Sequence, residues 1–453
     1  MKKIFKKLLF ITLLFASLNV NAATKSINGK NWMSAVDGSI PINELTLPGV
    51  HDAASFRLNG EAFTNLYGIT QDSPIGTVSW KWGGKTYTDV GLLDMGVRYF
   101  DIRYCLYDNP EKTSGYRNAQ EKASSHLLTV HNTFDCEYRY DEGLFGIDLH
   151  KKTTNEVLMK WVKTFLEKNK NETVIFAISA DDGSDNKTVM EYYSQFYQAQ
   201  IEKPDSNYPT IYYGDHVPTL DEARGKLVIF AADATEEYKY VFKDDENKKQ
   251  RWFFYEPYAY ANKDEKTYTL AFKSNKTGSD DTRYYAIYKQ NKYDDFNAFS
   301  GSDDKWEYVE NTLNQTNNLI MSQKQYSFNA FMLNYTSANN ITEGDLFGNP
   351  WEFAEDINPK VLKYFKAVKP LTGSYGYILM DWMDPDLAKA IYSVNIDQNE
   401  YNITNVGLTL VEGSSLTLII EIAFIIALIV VITIIIIKKA KNNKKTNNKK
   451  SKK

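Results

Sequence analysis

Cysteine is nearly missing from this chain: Cys105 and Cys136 are the two present in 453 residues. A disulfide-built scaffold is thereby excluded, a structural zinc site has too few thiolates to form in its usual way, and at most one bridge can exist. If the protein is exported, that bridge becomes chemically available, and the placement of both residues just beyond neighbouring strand ends slightly favours it. Histidine is scarce too, with five residues, so an imidazole at a structurally special position carries weight. Positive charge is also lacking over most of the length. The 53 basic residues include four lysines before residue 23 and nine after residue 437, leaving 40 against 57 acidic residues, a balance of −17. Such a surface repels polyanions, which argues against nucleic-acid binding as the function and against electrostatic recruitment to anionic lipid. No repeat and no long Pro/Gly/Ser linker divides the chain, so a solenoid or a string of small domains is not expected.

What is present begins with the two ends. Residues 1–22 read as an export signal: Lys2, Lys3, Lys6 and Lys7 precede an apolar core, and Val20-Asn21-Ala22 supplies small residues for cleavage. Residues 416–437 form a second apolar run, which at helical rise covers roughly 33 Å and so suffices for one transmembrane helix. The nine lysines of 438–453 predict a cytoplasmic basic tail by the positive-inside bias. These features place residues 23–398 outside the cell or in a lumen as one catalytic domain, joined by a juxtamembrane linker at 399–415 to a single-pass anchor. The partner expected is a phospholipid substrate at a membrane surface.

Eight short apolar runs punctuate the domain, each ending in polar or glycine residues: 43–50, 97–103, 126–132, 173–179, 226–232, 284–289, 330–337 and 375–381. Several are nearly continuous in apolar residues, as strands buried on both faces of a parallel sheet are. Helical patterns separate many of them, including 155–167 and 359–368. Eight strands alternating with helices predict an α/β fold of the (β/α)8 TIM-barrel type, with an open doubly wound sheet as the rival.

In a barrel the reactive groups belong where strands end and βα loops begin. Four runs satisfy this. His51 and Asp52 follow the first, Asp101 and Arg103 close the second, His131 closes the third, and Asp381 ends the eighth. Two imidazoles can divide the proton work of a phosphoryl transfer, one as base and one as acid. A carboxylate on the far ring nitrogen fixes tautomer and raises basicity, while a guanidinium spreads charge over phosphate oxygens. Singly, a strand-end histidine is more often structural and an Asp-x-Arg more often an internal ion pair. Their joint placement points to chemistry.

These blocks resemble one family. LPGVHDAASF (47–56), GVRYFDIRYC (96–105), HLLTVHNT (126–133) and LDEARGKLVIF (220–230) are similar to motifs of the bacterial-type phosphatidylinositol-specific phospholipases C. QNKY (290–293), MLNYTSA (332–338) and YGYILMDW (375–382) continue the likeness in order, over about residues 30–395. The resemblance implies a metal-independent enzyme without cofactors. Animal and plant members carry a calcium-binding carboxylate where Arg103 stands and Asn where Asp52 stands. It further implies that His51, held by Asp381, is the base for the inositol 2-hydroxyl. His131, coupled to Asp52, is the acid for the diacylglycerol alkoxide; Arg103 stabilises the phosphorane-like state and Asp101 braces the second strand. The products would be diacylglycerol and an inositol cyclic phosphate. Departures fall on the headgroup side, where bacterial members have a lysine at Ser179, a basic residue at Ala232 and a carboxylate at Asn291. Tyr293 remains to stack on the sugar, and Ser179, Asn291 and Tyr293 form the expected substrate wall. The same reaction on another headgroup, or a catalytically weak lipid- or sugar-binding ectodomain, are the alternatives. A metal-dependent glycerophosphodiesterase-like barrel would need Glu-x-Asp near the second strand, where Asp101-Ile102-Arg103 stands.

Overall fold

The computed structural model describes residues 25–58, 75–76, 78–82, 85–107, 114–132, 134–140, 149–181, 186–214, 217–231, 254–255, 285–293, 296, 301–323, 329–339, 350–406 and 409–411. The expected export signal 1–22, the apolar run 416–437, the basic tail 438–453 and Ala232 lie outside the described residues. Among the described residues, no helix is long and apolar enough to cross a membrane. The chain forms two units, one of residues 1–78 and 89–407 and a smaller one of 79–88 and 408–453. The smaller is a three-stranded sheet in which Thr409–Val411 runs antiparallel to Lys85–Val90, beside Val78–Trp82. Within the expected linker 399–415, Tyr401–Ile403 pairs parallel with Lys25–Ile27.

The larger unit is built on eight parallel strands: β1 (Leu47–Val50), β2 (Tyr99–Leu106), β3 (Val174–Ala180), β4 (Leu227–Ala231), β5 (Phe254–Tyr255), β6 (Tyr285–Gln290), β7 (Asn329–Tyr335) and β8 (Tyr377–Met380). Their order in space is β5-β4-β3-β2-β1-β8-β7-β6. The first strand therefore pairs with the last, Tyr377 opposite Leu47 and Met380 opposite Val50, which is the order of a barrel rather than of a doubly wound sheet. Closure is incomplete: among the described residues, no pairing joins β5 to β6.

One expected barrel strand is something else. The run 126–132 forms Leu127–His131, which lies antiparallel to the outer end of β2 with Leu106 opposite Leu127 and Tyr104 opposite Thr129. It then turns into a hairpin with Phe134–Tyr140. A ribbon strand covered on both faces is as apolar as a barrel strand, so periodicity does not separate the two. The remaining barrel position falls to Phe254–Tyr255, two residues that are too short to show a period. The hairpin also assigns the cysteines to different apolar clusters. Cys105 packs with Leu128 and Val130, Cys136 belongs to the main core, and both cysteines are buried and unbridged. The bridge is not formed.

Alternation along the strands creates two apolar layers. Leu47, Tyr99, Ile175, Ala177, Val228, Phe230, Phe331, Leu333, Tyr377 and Leu379 fill the interior. Phe100, Ile102, Phe176, Ile178, Ile229, Ile378 and Met380 face outward to the helices. Gly49 sits in the inward series because a Cβ there would stand 3.3 Å from both Tyr99 Cβ and Leu379 Cγ. The helices longer than one turn, among the described residues, are α1 (Ala119–Ser125), α2 (Asn155–Lys168), α3 (Asn186–Glu202), α4 (Gly301–Gln323), α5 (Pro350–Ala367) and α6 (Pro385–Tyr392). On α2 the buried Leu158, Met159, Val162, Phe165 and Leu166 recur at three- and four-residue spacing, one stripe against the outer layer. Each such side chain contributes about 1.5–3 kcal/mol when fully buried. Helix α5 starts at Pro350, nine residues before the expected start, and carries Pro359 inside it. Apolar Phe353 and Ile357 upstream pack on the same core, with Ala354 buried beside them, and extend the helix across the proline.

Candidate active site

The inward series of the strands run on past their last apolar members. On β1 the series 47, 49 leads to His51; on β2, 99, 101 leads to Arg103; on β3, 175, 177 leads to Ser179. On β7, 331, 333 leads to Tyr335, and on β8, 377, 379 leads to Asp381. The period of two that packs the interior thus delivers polar groups to one mouth, at the C-terminal ends of the strands. His131 arrives from the hairpin instead. Each of His51, His131 and Asp381 is followed by a non-glycine residue in the left-handed region: Asp52 at φ 43°, Asn132 at 55° and Trp382 at 50°. Such backbone is costly, above all for tryptophan, and persists only where surroundings enforce it. At Trp382 the enforcement includes Asn358 of α5, which donates to the Asp381 carbonyl at 2.9 Å.

His51 Nδ1 lies 3.1 Å from Asp381 Oδ1, and its Nε2 lies 2.9 Å from Arg103 Nη2. A guanidinium only donates, so Nε2 accepts and the proton rests on Nδ1, pointed at Asp381. In its neutral form His51 thus keeps its basic lone pair turned into the site. Arg103 Nε also pairs closely with Asp52 Oδ1, its Nη1 donates to Asp181 Oδ2 at 3.3 Å, and Nη2 stands 4.0 Å from Asp101. His131 Nε2 is 3.0 Å from Asp52 Oδ2. Because Asp52 is ionised, that nitrogen donates. His131 Nδ1 is buried with no hydrogen-bond partner among the described residues.

Burial would raise the Asp52 carboxyl, but Arg103, His51 and His131 together hold it well below the usual carboxylate range. Burial likewise opposes the charged form of His51, yet the Asp52 and Asp381 carboxylates outweigh it and raise the imidazole above its ordinary 6.5. Arg103 is raised because Asp52, Asp101 and Asp181 overcome its burial. One fixed cation is shared among three carboxylates. His51, Asp52 and Asp101 also bring ligand atoms within 4.8 Å of one another, a spacing at which a cation could be held. Arg103 already pairs with two of those three residues and bonds the third.

With this geometry in view, the relatives become informative. No family model matches the chain. It is 27% identical over 203 residues to a 1-phosphatidylinositol phosphodiesterase of Staphylococcus aureus (strain Newman), covering 44% of this chain and 50% of that protein. A 1-phosphatidylinositol phosphodiesterase of Listeria monocytogenes is 22% identical over 216 residues, covering 46% and 51%. The chain spans about half the length of the curated relatives it matches. What it resembles is a group of bacterial phosphodiesterases. Among solved structures, the H258Y mutant of the phosphatidylinositol-specific phospholipase C from Staphylococcus aureus superposes with a TM-score of 0.52 at 20% identity, over 83% of this chain and all of that one. A second structure of that enzyme gives 0.51 at 21% identity, over 81% and 97%. This likeness is one of fold, a TIM-barrel type architecture.

Of the expected residues, His51, Asp52, Arg103, His131 and Asp381 form one bonded cluster. Asp101 stands beside Arg103, and its carbonyl accepts the Ala53 N–H at 2.9 Å, tying the His51 turn to β2. Ser179 is buried on β3 directly opposite Arg103 in the ladder. Asn291 and Tyr293 follow β6 on the rim, Tyr293 with 38% of its surface exposed. Two members escaped the sequence reading. Tyr335 packs edge-on to His51 with ring centroids 5.8 Å apart, and the inward series of β7 points to it. Asp181 accepts from Arg103 and, at 3.1 Å, from the backbone N–H of Asn132 beside His131. It stands just past the end of β3, where its strand-end position was the available signal.

Proposed function

We propose that this chain is a phosphodiesterase that cleaves phosphatidylinositol-type lipids by internal attack of the inositol 2-hydroxyl. The observation that carries the reading is the double pairing of His51 with Asp381 and His131 with Asp52, with Arg103 bonded to both His51 and Asp52. The names of its relatives support the same substrate class.

In the reaction, a phosphate oxygen draws Arg103 from His51 and frees Nε2. That nitrogen takes the proton of the 2-hydroxyl, whose oxygen attacks phosphorus. Asp381 stabilises the imidazolium formed. The bond from phosphorus to the diacylglycerol oxygen breaks, and His131, acting as the imidazolium that the Asp52 carboxylate stabilises, gives one of its two ring protons to the departing alkoxide and is left neutral. Arg103 balances charge on the non-bridging oxygens as it accumulates. Nucleophile and phosphate share one molecule, so the effective concentration of the attacking group is high from the start. Ser179 and Asn291, where bacterial members carry charged residues, leave the headgroup wall less polar and favour relaxed selection among inositol lipids. The apolar run 416–437 and the tail 438–453 support a single-pass anchor with the catalytic unit on the non-cytoplasmic side.

The full-length chain in EDTA, given phosphatidylinositol in detergent micelles, should release an inositol cyclic phosphate and diacylglycerol. His51→Ala or His131→Ala should lower kcat about 10²–10⁴-fold. Turnover that appears only with added calcium would overturn the role given to Arg103.

A further inference from the structure

Behind the rim, between β6 and α4, lies a buried amine that the reaction above does not use. Lys305 of α4 has no exposed surface. Its Nζ donates to Gln290 Oε1 at 3.3 Å and to the Lys292 carbonyl at 2.5 Å, its two acceptors among the described residues. Gln290 is itself spent locally: its Oε1 accepts the Lys292 N–H at 2.8 Å, and its Nε2 donates to Asn334 Oδ1 and the Tyr335 carbonyl at 2.9 and 2.8 Å. Asn334 closes the set by donating to the Val309 carbonyl of α4 at 3.0 Å. The next residue, Tyr293, accepts at its carbonyl from the Asn339 N–H at 2.8 Å. The segment 290–293 therefore hangs on a small buried polar network, and among the described residues Lys305 is its one ionisable side chain with no exposed surface.

A buried network of this kind is expensive unless satisfied, and a satisfied one fixes a single arrangement. An ammonium carries three donors and a neutral amine two, so two acceptors suit the amine. Burial lowers the lysine to about 7; Asp381, from the end of β8, acts to raise it and Lys292 adds to the lowering.

We propose that Lys305 is a positioning residue for the headgroup wall, fixing the Gln290–Tyr293 segment from beneath and with it the half-exposed ring of Tyr293. The proposal rests on the phosphatidylinositol reading and deepens it: Asn291 and Tyr293 select the headgroup, and Lys305 holds them in register. Protonation of the amine introduces a third donor, so the wall is best ordered when the amine is neutral.

The test compares the full-length parent, Lys305→Met, Tyr293→Leu and the double variant. On phosphatidylinositol micelles Lys305→Met should raise KM about tenfold and leave kcat within about threefold. The double variant should be no worse than the poorer single one, because coupled positions are not additive. In denaturant unfolding the sign follows from proton counting. Between about pH 7 and 10 the unfolded chain binds a proton at Lys305 that the folded chain does not. The parent therefore gains stability over Lys305→Met as pH rises, by up to about tenfold in the unfolding constant per pH unit. Parallel stability curves, an unchanged KM, or additive losses would each overturn the proposal. If Lys305→Met does not fold, carbon-13 NMR of the lysine Cε groups in the parent decides it. One lysine titrating near 7 supports the buried amine, and none below about pH 9 overturns it. A parent inactive on phosphatidylinositol but with the unfolding result intact would sink the proposed substrate and leave the buried amine in place.

Discussion

His51 gives a hydrogen bond to Asp381 and accepts one from Arg103, so its two nitrogens are assigned opposite duties before substrate arrives. The carboxylates of Asp52 and Asp381 raise this imidazole above 6.5 despite its burial. A base must be neutral to work, so kcat/KM should climb as pH rises through that raised value, with its acidic limb above pH 6.5. Asp381→Asn removes one of the two carboxylates responsible. The limb should then move to lower pH while kcat drops about 10²–10⁴-fold, because the tautomer is no longer enforced. A pH–rate profile of the two proteins checks this, and an unshifted limb would assign the titration elsewhere. At this scale the sequence was highly legible. His51 and Asp381 stand just past strand ends and Arg103 three residues before the end of β2, and alternation extrapolates to them from Leu47, Tyr99 and Tyr377. Asp181 was not legible, because its partners, Arg103 and the Asn132 amide, lie 78 and 49 positions away.

At the level of elements, the opposite end of the strands shows a different kind of polar residue. Arg98, just before β2, and Glu172, just before β3, are both fully buried, with Arg98 Nη2 2.6 Å and Nε 3.0 Å from Glu172 Oε2. Arg98 also donates to the carbonyls of Gly29, Leu93 and Val97, and Glu172 Oε1 accepts the Met33 N–H at 3.0 Å. This pair staples the N-terminal segment to the strand starts, on the face where barrels keep stability rather than catalysis. Glu172→Gln leaves the guanidinium buried without its counter-charge and should cost about 3–5 kcal/mol. Denaturant unfolding measures the loss, and kcat and KM of the folded fraction should stay at parental values. A change in KM would show that the pair communicates with the mouth. The hairpin Leu127–His131 and Phe134–Tyr140 teaches the converse. Its run of Leu, Thr and Val reads as a strand, but its antiparallel pairing with β2 depends on β2 outrunning the barrel rim, which no local pattern records.

Across the whole molecule, the proposed anchor makes a simple prediction. Membranes from cells expressing the full chain should retain the protein through an alkaline carbonate wash, and a chain ending at residue 415 should appear in the soluble fraction. Retention of the shortened chain would place the membrane attachment elsewhere. The sequence by itself determined that the fold is α/β, because near-continuous apolar runs separated by amphipathic helices call for a sheet covered on both faces; the pairing of β1 with β8 that separates a barrel from the doubly wound rival came from the tertiary structure. It also determined the chemistry available at strand ends, because a period of two carries inward positions to the mouth whatever the loops do. Only the tertiary structure decided the rest: that Leu127–His131 leaves the barrel, that Cys105 and Cys136 stay unbridged, that Asp181 bridges Arg103 to the His131 turn, and that Lys305 is buried against Gln290 and the Lys292 carbonyl. Each depends on contacts between residues distant along the chain. Periodicity reports which face a side chain occupies, and only packing reports what it meets there.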